Sequence, residues 1–228
     1  MKYFNSKTIF LAILGIAIFL IAFRLVEEWS FPDSSWILQK SGEKIPLDKE
    51  KPLIQKFTAV RNNLSQIDII FGNSNFKSGG IIDMKLLDEN CSSAVREGFF
   101  DLSSTTSKYS YDFRFSKIPD SKDKTYCLAL TFTQEGGGTK KVKVFINGNP
   151  PSQSRSLLIN TATGEKFEDK SLAIRPAYQN DNLWKNIDEL NQRISQYKPW
   201  FLKHYFLYAI VFSMIIISIA IIVLIIIF

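Results

Sequence analysis

A chain of 228 residues and 26.1 kDa holds one ordinary domain with some extra segments, which excludes a large multidomain machine. Hydrophobic residues at 46% and charged residues at 22% exclude a disordered, collagenous or low-complexity chain, although Leu, Ile and Phe crowd into both ends. The net charge of +6 thins to a surplus of four once the charges flanking the apolar ends are set aside, which argues against a nucleic-acid binder.

The first element is an unbroken apolar run over residues 9–23, and residues 8–26 form a 19-residue stretch interrupted only by Arg24. A helix rising about 1.5 Å per residue crosses a hydrocarbon core of about 30 Å in about 20 residues, so the run fits a transmembrane anchor within residues 1–28. Arg24 lies near enough to its end to snorkel. A cleaved signal peptide is the competing reading, because Lys2 and Lys7 make a basic start. Residues 21–25 offer only Ala22 as a small residue for cleavage, which favours an uncleaved anchor. Residues 29–50 then read as a membrane-proximal linker, with Trp29 and Trp36 suited to the interface.

Residues 51–178 are dominated by alternation of period two, the pattern of strands with one buried face. Phe57 with Ala59, Ile67 with Ile69 and Phe71, and Ile82 with Met84 and Leu86 begin the series. Tyr109, Tyr111, Phe113 and Phe115, then Tyr126, Leu128, Leu130 and Phe132, carry it most clearly. Val142, Val144 and Ile146 follow, with shorter apolar pieces at 98–102, 157–159 and 172–174. Turn-rich segments at 61–65, 72–80, 119–124, 136–138 and 147–151 separate them. Many short strands without an intervening helical pattern predict a mainly β chain built as an antiparallel β-sandwich.

Over residues 179–202, Asn180 or Asp181 caps a predicted amphipathic helix. Leu183, Ile187, Leu190, Ile194 and Tyr197 recur there at steps of four and three. This apolar seam suits packing on the sandwich or the membrane surface; as a coiled coil with a partner helix it spans only two heptads. Residues 203–228 close the chain. Residues 205–228 contain no charge, Pro or Gly, so they predict a second transmembrane helix, with Tyr197, Trp200 and Tyr205 at its interface. With a span at each end, both termini share one side of the membrane. The basic tail places them in the cytoplasm and the domain outside, although Arg24, Arg193, Lys198 and Lys203 pull the other way.

Gln55, Phe57, residues 63–69, residues 109–115 and Asp120, Ser121, Lys122 before Tyr126 resemble the galactose-binding-like jelly rolls common in carbohydrate-binding modules. The resemblance covers about 120 residues and implies a jelly-roll type of sandwich with glycan as a partner. Residues 193–200, ahead of the final span, are similar to uncharacterised bacterial membrane proteins associated with envelope glycosyltransferases. This chain departs from sugar-binding modules in having no Trp within residues 51–178.

The single histidine, His204, sits at the membrane edge, which disfavours Ser-His-Asp and Cys-His relays and His-rich zinc sites. Gly136, Gly137 and Gly138 lack the Gly-Lys-Ser/Thr continuation of a phosphate loop and read as a hairpin. Carboxylates at Asp68, Asp83, Asp88, Glu89, Asp112, Asp120 and Asp123 leave a glycosidase as a remote alternative, with no spacing that separates them from a solvated strand face. Neither a catalytic residue nor a metal ligand is assigned, and no cofactor is expected. Cys91 and Cys127, an even pair in an exported domain, fit a disulfide or two free thiols.

Two functions follow. One is a non-enzymatic, membrane-anchored β-sandwich module that binds glycan through loop amides at Asn73, Asn75, Asn147 and Asn149, or assists an envelope glycan-processing complex as an accessory subunit. The other is a scaffold or assembly subunit acting through its spans and the Leu183, Ile187, Leu190, Ile194 seam. The expected partners are membrane lipid, glycan and other membrane proteins, with no nucleic acid.

Overall fold

The computed structural model describes residues 14, 15, 17, 20, 21, 24–36, 42–72, 79–102, 110–133, 142–147, 157–168, 170–195, 208, 209, 212, 213 and 216. The chain divides into two units. One is Ser30–Gln179; the other joins Met1–Trp29 to Asn180–Phe228.

The first unit is mainly β and wholly antiparallel in its pairing. Its strands are β1 (Phe31–Pro32), β2 (Lys44–Pro46), β3 (Leu53–Thr58), β4 (Leu64–Ile70), β5 (Ile81–Leu87), β6 (Ala94–Asp101) and β7 (Ser110–Ile118). They continue as β8 (Thr125–Thr133), β9 (Lys143–Asn147), β10 (Leu157–Asn160), β11 (Glu165–Phe167), β12 (Ser171–Leu172) and β13 (Ile174–Tyr178). A six-stranded sheet runs in the order β11-β10-β3-β8-β5-β6, a four-stranded sheet in the order β1-β13-β4-β7, and a three-stranded sheet in the order β12-β9-β2. The last two are stitched together by the bridge between Phe71 and Val144 and by Ile70 N–H donating to Ala173 O (3.0 Å).

Alternation decides which side chains face inward. Tyr126, Leu128, Leu130 and Phe132 of β8 join Ile82, Met84 and Leu86 of β5 and Phe57 of β3 in one apolar cluster with Ile67 and Ile69 of β4 and Tyr111 and Phe113 of β7. Ring contacts cross it: Phe71 and Tyr111 lie 5.4 Å apart and Phe100 and Tyr111 4.9 Å apart, both edge-on. Where β6 meets β7, Gly98 lets the Phe113 ring approach so closely that a Cβ would sit 2.7 Å from its edge.

Within residues 29–50, expected to be a linker, two segments belong to this body, because β1 pairs with β13 and β2 with β9. Trp36 corrects the interface assignment in the same way. Asp33 N–H donates to Pro176 O (2.9 Å), which draws the turn after β1 onto the sheet and leaves Trp36 3% exposed, edge-on to Phe57. A Trp therefore does lie in the sandwich core. The turn expected at 147–151 begins later than the sequence suggests, since Asn147 is still in β9, opposite Ser171.

One end of the sandwich is knit by buried polar groups. Ser121 is fully buried, and its hydroxyl donates to Arg61 O (2.8 Å) while accepting from Leu64 N–H (3.0 Å). Lys122 N–H donates to Asn62 Oδ1, and Asn63 N–H to Pro119 O. Val60 N–H donates to the Tyr178 hydroxyl, which burial pushes above its ordinary range. Replacing Ser121 with Ala removes the partner of the buried Leu64 N–H and the bond to the part-buried Arg61 carbonyl. Chemical denaturation should register a loss of about 1–3 kcal/mol, and an unchanged midpoint would show that Ser121 is not a structural node.

Candidate functional site

The second unit carries the helix that the seam predicted, α1 (Leu183–Ser195). Its cap is Asn182 rather than Asn180 or Asp181: Lys185 N–H donates to Asn182 Oδ1 at 2.8 Å, satisfying one of the first-turn donors that a helix leaves open. Asn180 instead donates to Glu189, which also pairs with Arg193 four residues on (2.9 Å).

The seam is only half closed. Leu183 is buried and Ile187 and Leu190 are half-buried, whereas Ile194 is 37% exposed and Trp184 65% exposed. The fully covered positions flank it: Asn186, Asn191 and Ser195. Ser195 Oγ donates to Asn191 Oδ1 (3.3 Å). Asn186 Nδ2 donates to Val26 O (2.8 Å) and Glu27 O (3.0 Å), main-chain carbonyls at the end of the helical residues 24–27. The Tyr208 hydroxyl donates to Asp188. Sequence periodicity pointed to the apolar positions and missed Asn186, because a lone amide beside an apolar stripe carries no pattern of its own.

The other predicted residues fall out differently. Asn147 is 9% exposed within a strand ladder and does not present its amide as a loop residue would. Asn73, Asn75, Asn149, Tyr197, Trp200 and Tyr205 lie outside the described residues. Trp29 is 49% exposed, whereas Trp36 is buried.

Cys91 and Cys127 are joined in a disulfide, Cα atoms 5.3 Å apart, tying the β5–β6 turn to β8. Cys127 points away from the core side of β8 yet is fully buried beneath that turn. Asp88 shapes the turn: its carboxylate accepts Ser92 N–H (2.8 Å) and Ser93 N–H (3.2 Å), and these main-chain donors, Ser92 foremost, hold it below its ordinary value of 3.8. That use of Asp88 leaves it committed to the backbone. Among the described residues no group of three or more His, Cys, Asp or Glu side chains is placed to hold a metal ion.

The carboxylates of the four-stranded sheet are likewise engaged. Asp68 and Asp112 face each other across β4 and β7; Asp68 pairs with Arg175 (2.9 Å) and Asp112 with Arg114 (2.7 Å). Each acid is bound to its own arginine, Asp68 across the β4–β13 pairing and Asp112 to the next residue on the same face of β7. No protein-family model matches the chain, and no curated protein matches it.

Two outcomes check the turn. Cys91→Ser should release a closure spanning 36 residues and cost about 2–4 kcal/mol in chemical denaturation; a parent chain whose thiols react with maleimide without reductant would refute the bond. Because the folded Asp88 carboxyl is held low, its stabilising effect is present above the ordinary carboxylate value and lost as pH falls through the lowered one. Asp88→Ala should therefore melt below the parent at neutral pH and converge with it in acid.

Proposed function

We propose that this chain is a membrane-tethered, non-enzymatic accessory subunit, held by spans at residues 8–26 and 205–228 and assembling through them and α1 into a larger membrane complex. The observation that carries this reading is the distribution of uncovered apolar surface. Among the described residues ten large apolar side chains are exposed, and nine of them, including Leu20, Ile21, Leu25, Trp184, Phe212 and Ile216, belong to the second unit. Only Phe99 belongs to the sandwich. Surface of this kind is unfavourable in water by roughly 25 cal/mol per Å² and calls for lipid or protein to cover it.

Among the described residues no helix is long and apolar enough to cross a membrane, and most residues of both apolar runs lie outside them. The span assignment rests on the runs themselves, which reach bilayer length. The disulfide supports an extracytoplasmic domain, because such bonds persist in oxidising compartments. The antiparallel sandwich is compatible with the jelly-roll resemblance, and an envelope glycan-processing complex is the assembly that resemblance suggests. Service to such a complex is favoured over direct glycan binding, since Asn147 is buried in a ladder.

Carbonate washing of native membranes followed by in-membrane cross-linking and mass spectrometry tests the proposal. The chain should stay in the pellet and cross-link to the same membrane proteins in replicate preparations. Release into the carbonate supernatant would overturn the tether, and a retained chain that yields only uncross-linked monomer would overturn the assembly role.

A further inference from the structure

One turn of α1 fastens both apolar ends of the chain. Asn186, fully buried, grips the carbonyls of Val26 and Glu27, where the first apolar run stops; helix-end carbonyls lack the partner that continuing the helix would supply, and Val26 O accepts besides Asn186 only a turn bond from Trp29 N–H (3.3 Å) among the described main-chain donors. Two residues on, Asp188 accepts the hydroxyl of Tyr208, the fourth residue of the second run. At a rise of about 1.5 Å per residue, both fastening points lie within about one helical turn of a run's edge. In the tethered reading they mark the depth at which hydrocarbon gives way to headgroups.

At that depth α1 is two-faced. Ile187, Leu190 and Ile194 line one side at steps of three and four, while Lys185 and Gln192 are exposed on the opposite side. The apolar stripe is only partly covered by the chain, with Ile194 the most open.

Resting on the tethered reading above, we propose that α1 lies lengthwise in the headgroup layer, its Ile187, Leu190 and Ile194 stripe turned to the acyl chains and Lys185 and Gln192 to water, with Asn186 and Asp188 setting its depth. The occupant of the stripe is lipid, the medium that the exposed Leu25, Phe212 and Ile216 of the same unit call for in the tethered reading. An amphipathic helix fixed in this way holds two spans side by side and limits their tilt.

The full chain, reconstituted in vesicles of phosphatidylcholine and phosphatidylglycerol, provides the test. Nitroxide labels at I194C and Q192C, with the native cysteines left in their disulfide, report collisions with dissolved oxygen and with a water-soluble nickel chelate. The oxygen-to-nickel ratio should be severalfold higher at position 194 than at 192, and Asn186→Ala should shrink the difference. Equal ratios in protein that resists carbonate extraction would overturn the lipid-facing helix while leaving the tether standing. A difference untouched by Asn186→Ala would remove Asn186 from the depth-setting role.

Discussion

Every strand of the sandwich shares the burden of keeping one sheet face dry. The six-stranded sheet offers Phe57, Met84, Leu86, Leu128 and Leu130, the other layer offers Ile67, Ile69, Phe71 and Tyr111, and each of these side chains is at most 2% exposed. Burial on this scale is the principal favourable term in folding.

Closing the layers requires that main-chain groups crossing between sheets be satisfied, and a few polar side chains do this. Gln55, fully buried in β3, accepts Leu172 N–H (2.8 Å) from the three-stranded sheet and donates to Lys56 O (2.9 Å). Ser121 performs the same service at the opposite layer's turn, and Asp68 with Arg175 ties β4 to β13. Buried polar groups that are fully bonded add specificity more than raw stability, because each bond replaces one made with water. Their residue types, two amides or hydroxyls and an ion pair, are those that a glycan site also employs, yet here they are turned inward to the protein's own backbone.

The disulfide and α1 address different problems of the same architecture. The Cys91–Cys127 bond pins a tight turn, in which Cys91 itself adopts a positive φ of 57°, onto the outer side of β8. In α1, amide and carboxylate side chains reach the two apolar ends of the chain, separated by nearly the whole sequence, and bring them to one helical turn. Both devices turn distant segments into neighbours, one covalently and one through hydrogen bonds.

Amino-acid order alone determined the period-two strands, the two apolar ends and the stepped seam of α1, since each is a local repetition that any window of the chain reveals. The strands β4, β5, β7 and β8 came within a few residues of their expected places for that reason. Only the tertiary structure decided that Trp36 belongs to the core, that β1 and β2 complete the sheets, that Cys91 meets Cys127 and that Asn182 is the cap. Two- and three-residue strands such as β1 and β2 exist because a partner elsewhere supplies their hydrogen bonds, and Asn186 acquires a role because Val26 and Glu27 are folded against it. Such pairings join residues about a hundred positions apart or more, a distance across which composition and spacing carry no information.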